Sequence, residues 1–288
     1  MKKKKIRPRD IKRFEEHLYS EEKSKATIEK YIRDIKKFSV FLGDNYLDKE
    51  SAIRYKTYLA ERYTPASVNS MIASLNCYFR FEDMEAFCVR YIKVQKQIFA
   101  RQDKELSRLE YKRLIDAADD EQTSLMIRTM CGTGIRVSEL RYITAEAVAS
   151  GKAVVDCKNK KRIILIPSLI QEFLIPYIKK SGIKSGPIFL SKNGNPIDRT
   201  SIWRKMKELC EISGVNPEKV FPHNLRHLFA RTFYSIDGDI VRLADVLGHS
   251  NINTTRIYTM EAGRQHMDML DQLQNILTTY CLLCFEKN

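Results

Sequence analysis

The chain has 288 residues, 43% of them hydrophobic, enough to bury a core in one large or two ordinary domains. Its formal net charge of +14 points to an anionic partner, and nucleic acid is the commonest. The basic start MKKKK runs into Ile6-Arg7-Pro8-Arg9 with no apolar segment behind it, so no secretory leader is expected. No apolar run approaches the ~20 residues of a membrane span. The seven cysteines are odd in number and scattered, as in a cytoplasmic protein with reduced thiols. One CxxC pair, Cys281 and Cys284, has no second pair to complete a zinc site.

Residues 1–9 form a basic arm. From there to about residue 90 the apolar spacing is helical. Ile11, Phe14 and Leu18 make one stripe. Ile28, Tyr31, Ile32, Ile35, Phe38 and Leu42 make a second at three- and four-residue steps, started by Ser24 or Thr27 and ended by Gly43. The opposite face of that second helix is basic: Lys25, Lys30, Arg33, Lys36 and Lys37. A third helix is predicted over 53–63. A fourth starts at Thr64-Pro65, with Thr64 as N-cap and Pro65 in the first turn. Residues 94–104 are polar and aperiodic, and the linker is set at 96–104. Ser107 and Glu110 then form a capping box.

An apolar helix over 123–130 is broken by Gly132 and Gly134, and Arg136 is expected to start the next. No lysine-serine ending makes the glycines a phosphate loop. Strands over 153–157 and 163–166 flank the turn Lys158-Asn159-Lys160-Lys161-Arg162. Helices follow over 169–180 and 201–213, with a short edge strand at 188–190 between them. His223 and Arg226 stand three apart on a helix, so an imidazole and a guanidinium project together. His227 is expected to point away from Arg226 and to pack. Asp239 opens another helix, Gly248 closes it, and His249 follows. Tyr258 lies nine residues further on. A last helix from 265 leads into the apolar tail LTTYCLLCF. His17 and His266 are expected at the surface.

Histidines, an arginine and a tyrosine gathered by two short helices suit phosphoryl chemistry without a metal. No carboxylate cluster has metal spacing, and no cofactor is expected. A phosphodiester repels an anionic nucleophile. Guanidinium groups neutralise its oxygens bidentately and keep their charge.

Five features, in order and at matching gaps, resemble the tyrosine recombinase (phage integrase) family. They are GTGIRVSEL, the lysine hairpin VVDCKNKKRIILIP, HNLRH, LGHSNINTTRIYT, and the helical segments SKATIEKYIRDIKKF and SVNSMIASLNCYFRF. Leu228 departs from the usual Thr or Ser, and the family's Asn-Pro after the first domain is absent. The resemblance implies a mainly α fold. A helical, SAM-like core-binding domain (1–95) would precede a mixed α/β, mostly helical catalytic domain with a small β-sheet (105–288). It implies a site-specific DNA recombinase that cuts and rejoins duplex DNA through a 3′-phosphotyrosine, integrating or excising a mobile element. Resolution of chromosome or plasmid dimers, and a DNA-binding regulator with a spent site, are the alternatives.

The resemblance also implies the roles. Arg136 and Arg226 hold the phosphate, Tyr258 attacks, His223 takes its proton, and His249 donates to the phosphate or helps position it. A hairpin lysine, best matched by Lys158 but with Lys160 and Lys161 as neighbours, protonates the leaving oxygen. Lys30, Arg33, Lys36, Lys37, Lys160, Lys161 and Arg162 are expected to contact double-stranded DNA. The bland reading of Arg136 is a helix-start arginine paired with Glu139. The tail is expected to join protomers of a tetramer on DNA.

Overall fold

The computed structural model describes residues 5–93, 104–157, 160–249 and 251–258. The basic arm's first four residues, most of the linker, Lys158, His266 and the tail lie outside them. The chain divides into two compact units, residues 1–96 and 97–288.

The first unit holds α1 (Pro8–Ser20), α2 (Lys25–Leu42), α3 (Lys49–Ala60) and α4 (Pro65–Phe81). Its core gathers the apolar stripes around Phe14, Ile35, Phe38, Ile72 and Phe79. The start of α4 is set by local chemistry. Thr64 accepts from the Ser67 amide, and Pro65 has no amide to leave unsatisfied. The third helix begins four residues earlier than its apolar spacing suggests, because Asp48 caps it through the Ser51 amide at 2.7 Å. His17 is half-buried, its ring 4.8 Å from that of Phe81.

Lys30 is not a free cation on the basic face. Its ammonium donates to Asp34 Oδ2 at 2.8 Å, to the Ser70 carbonyl at 2.8 Å and to Ser74 Oγ at 2.9 Å. Asp34 is buried, and an unpaired buried carboxylate is costly. Lys30 therefore acts as a strut between α2 and α4. Arg33, Lys36 and Lys37 stay exposed, with Lys37 lying over the Tyr63 ring.

The second unit begins with α5 (Arg108–Asp116), α6 (Glu121–Thr133), a 3-10 turn (Val137–Tyr142) and α7 (Ala145–Ser150). The predicted capping box at α5 is present, with reciprocal bonds between Ser107 and Glu110. Strands β1 (Lys152–Cys157) and β2 (Lys160–Leu165) form an antiparallel hairpin with Val154 opposite Ile163. Next come α8 (Ser168–Lys180), α9 (Arg199–Ser213), α10 (Pro222–Asp237), α11 (Ile240–Leu247) and a 3-10 turn (Arg256–Tyr258). Two expectations change. Arg136 caps a 3-10 turn rather than starting an α-helix. Residues 188–190 form no strand; isolated bridges pair Thr144 with Pro187 and Leu190 with Pro196. The main core of this unit runs from Leu106 to Leu228. A smaller cluster of Ala230, Leu243, Leu247 and Tyr258 fixes α11 and the last turn on α10.

Candidate active site

Three segments far apart in sequence converge at the end of α6. The first is its terminus. Gly134 adopts a φ of +63°, and a side chain there would overlap the Phe229 ring, so glycine answers both demands. The turn aims the Gly134 carbonyl at Arg226 Nη1, which donates to it at 2.6 Å. Arg136 follows. Its amide and Nη1 both donate to Glu139, at 2.8 and 2.9 Å. The Glu139 pairing is therefore real, and it leaves the Arg136 side chain 43% exposed. Arg136 lines a cleft of about 610 Å³ with Ser138, His223, Arg226 and Trp203.

The second segment is α10. It presents His223, Arg226 and His227 over one turn and a quarter. Arg226 is 1% exposed. Its Nη2 donates to the Leu247 carbonyl at 2.8 Å and contacts His249 Nε2 at 2.8 Å. Burial, with Arg136 nearby, lowers its pKa to about 10, while the Tyr258 phenol opposes that shift. Arg226 therefore stays charged at neutral pH.

The third segment is the end of α11. Gly248 takes a φ of +66° and the His249 amide returns to the Ala244 carbonyl at 2.9 Å, a left-handed helix stop. That stop turns His249 inward. Arginine has only donors, so His249 Nε2 is the acceptor and Nδ1 carries the proton, donated to Thr255 Oγ1 at 2.9 Å. Burial first, then Arg226, Arg136 and Arg162, push the His249 pKa down to about 4. The imidazole is thus neutral.

Tyr258 sits at the centre, 4% exposed. Its ring centroid is 6.0 Å from that of His249, 6.5 Å from His223 and 4.6 Å from His227. His227 does pack, as expected, but onto the tyrosine ring. Residues i and i+4 share a helix face, so its place beside His223 was readable. Burial lowers the His227 pKa to about 4, leaving it uncharged. Burial, then Arg226 and Arg136, also lowers that of His223.

The structure thus brings Arg136, His223, Arg226, His249 and Tyr258 together. Lys158 and the Lys160 side chain lie outside the described structure. Lys161 is exposed on β2. Arg162 turns inward onto Glu139. Sequence reasoning missed Trp203 and Thr255. Trp203 is the chain's one tryptophan and is 49% exposed at the cleft, which is a signal; Thr255 carries none. Among the described residues no group of His, Cys, Asp or Glu forms a metal-binding cluster, and no helix is long and apolar enough to cross a membrane.

The Phage integrase family model matches residues 104–264, more than half the chain, and the model of the phage integrase N-terminal SAM-like domain matches residues 11–85. The chain belongs to the phage integrase family. Tyrosine recombinase XerA of Pyrococcus furiosus is 30% identical over 293 residues, covering 96% of this chain and 99% of its own. A crystal structure of XerA recombinase is similar with a TM-score of 0.52 at 26% identity, over 92% of this chain and 97% of that one. A lambda integrase tetramer bound to a Holliday junction has a TM-score of 0.70 at 20% identity, over 86% and 76%. The last likeness concerns the fold alone. As a phage integrase family member, the protein is a site-specific tyrosine recombinase, an enzyme that cuts and rejoins DNA.

Proposed function

We propose that Tyr258 is the nucleophile of this recombinase and that the convergence of Arg136, His223, Arg226 and His249 on it is its catalytic centre. That convergence carries the assignment. The Tyr258 oxygen attacks phosphorus; the new phosphorus–tyrosine bond forms as the bond to the 5′ oxygen breaks. His223 takes the phenol proton. A lysine of the hairpin turn (Lys158, with Lys160 and Lys161 as neighbours) gives a proton to the leaving oxygen. Arg136 and Arg226 neutralise the non-bridging oxygens, a contribution of several kcal/mol per donor. When a phosphate oxygen takes the Arg226 hydrogen bond, His249 Nε2 is released. The incoming anion raises the His249 pKa, so the imidazole protonates and donates to the phosphate. The covalent 3′-phosphotyrosine keeps the bond energy for rejoining.

A randomised duplex library carrying a nick tests this. The short segment beyond the nick diffuses away and traps the intermediate. DNA recovered covalently attached to Tyr258 under denaturing conditions supports the reading; no adduct defeats it and leaves a DNA-binding regulator. The lowered His223 pKa adds a pH signature. A base whose pKa lies below 6.5 keeps its neutral form below that pH. The second-order rate of adduct formation, which reports the free enzyme, is expected not to fall as the pH is lowered from 8 to 6.5. An acid limb above 6.5 would remove His223 from the role.

In the first unit, Arg33, Lys36 and Lys37 grip DNA phosphates. Lys161 does the same from the hairpin. Residues 265–285 join neighbouring protomers of a tetramer on DNA. One set of binding titrations tests both ideas. Neutralising Arg33, Lys36 and Lys37 together is expected to lower the salt slope of binding by up to about three. Ending the chain at residue 264 is expected to leave single-site affinity intact and abolish pairing of two DNA-bound dimers in native gels. An unchanged slope, or intact pairing, refutes the respective idea.

The biological role is integration and excision of a mobile element. Near-complete coverage of XerA at both ends of the alignment favours a second role, dimer resolution. Target sites selected from the library separate the two: a site beside the gene in mobile DNA supports the first, a single chromosomal site the second.

A further inference from the structure

We infer that Arg162 is a positioning residue which locks the first arginine segment to the histidine before the nucleophile, and that it is not a DNA contact. The inference rests on the catalytic assignment above. Side chains along β2 alternate in direction. Ile164 is buried at 3% exposure, while Ile163 and Leu165 are each 61% exposed. Arg162 shares the face of Ile164, and its side chain is only 15% exposed.

There its guanidinium spans two acceptors. Nη2 donates to Glu139 Oε2 at 2.8 Å, and Nη1 donates to the Leu247 carbonyl. Each acceptor also serves a second arginine. Glu139 holds Arg136 through both its oxygens. Leu247 takes Arg226 Nη2 at 2.8 Å. An unbroken path therefore runs from Arg136 through Glu139, Arg162 and Leu247 to Arg226 and His249. It joins segments 23 and 85 residues from Arg162.

The chemistry suits arginine. A buried carboxylate needs cations around it, and Glu139 is 4% exposed. The last carbonyls of a helix lack partners and carry the negative end of its dipole. A planar fork reaches both at once, which an ammonium cannot. Gly248 completes the fit, because a Cβ there would lie 2.6 Å from Arg162 Cδ. Without Arg162, Glu139 keeps its bonds to Arg136 and draws it away from the phosphate. The turn that aims His249 also loosens.

The experiment uses the full chain and the duplex selected from the nicked library. For Arg162→Gln we expect unchanged affinity and salt slope, with adduct formation at saturating protein about 100-fold slower, the order of loss that a 1 Å misplacement causes. Arg162→Lys keeps the charge and recovers at most a small part of the rate. Arg162→Gln combined with Glu139→Gln is expected to be no slower than the slower single variant, because both break one path.

A salt slope lower by about one with the saturated rate intact would make Arg162 a phosphate contact and overturn the inference. An unaffected rate, or additive losses in the double variant, overturns it too. If Arg162→Gln unfolds, the Lys variant carries the same readings. Failure of the unaltered chain to form a Tyr258 adduct sinks the catalytic assignment instead, so the two failures are distinct.

Discussion

Tyr258→Phe is expected to bind the selected duplex with unchanged affinity and to form no covalent adduct. The substitution removes one oxygen and keeps the ring. That ring is buried among Ala230, Leu243 and Leu247, with the His227 ring centroid 4.6 Å away, and phenylalanine satisfies those contacts. The lost hydroxyl touches the charge of Arg226, so a stability change of about 1 kcal/mol is the scale to expect. The chemical loss is of another order. The phenol becomes a nucleophile only because a base and guanidiniums stand beside it, and no neighbouring group can replace it. Removing the nucleophile of a concerted site costs at least about 10⁴-fold. Denaturing gels of the trapped reaction, with thermal unfolding alongside, provide the check. A surviving adduct moves the nucleophile to another residue and dissolves the role of every group placed around Tyr258.

Arg226 should show the largest combined loss. In Arg226→Ala the Gly134 carbonyl and His249 Nε2 lose their donor together, and the Leu247 carbonyl is left with Arg162. Each unsatisfied buried acceptor costs about 1–3 kcal/mol. A total of about 3–5 kcal/mol is expected, which lowers Tm by roughly 10 °C or more for a unit of this size. Arg226→Lys separates structure from chemistry. The ammonium keeps the charge and satisfies part of the set, so the stability loss is expected to fall to about 1–2 kcal/mol. The bidentate grip on the phosphate is still gone, and adduct formation is expected about 10³-fold slower. Thermal unfolding and single-turnover rates on both variants decide. A lysine variant within tenfold of the parent rate would show that charge alone suffices and that the fork geometry is incidental.

Much of the architecture was legible because its determinants are local. Thr64-Pro65, the Ser107–Glu110 box and Asp239 each set a helix start within four residues, and all three act as read. The segments of the proposed catalytic centre carry their signal in order and spacing. What escaped depends on distant partners. Lys30 looks like one of a row of surface cations until Ser74, 44 residues away, is placed beside it. Arg162 was grouped with the turn lysines, although strand alternation already puts it on the face of Ile164. His227 was judged by its angle to Arg226, when its shared face with His223 was the informative relation. A 3-10 turn over Val137–Tyr142 stands where an α-helix is expected after Arg136, and the Arg136–Glu139 capping box, like the one that opens α5, does not distinguish the two.

Helix α11 has eight residues and ends on a single carbonyl shared by Arg162 and Arg226. Its inner residues Leu243, Ala244 and Leu247 are buried. The length and seating of this helix therefore decide where His249 lands, as a gauge block sets the height of a tool. A screen for conditional alleles of the recombinase should find them here, at apolar positions with no part in the chemistry. Such alleles would work at low temperature and fail on warming, while their product still occupies its DNA. They would supply a reagent that holds the recombination complex assembled until a change of temperature releases it.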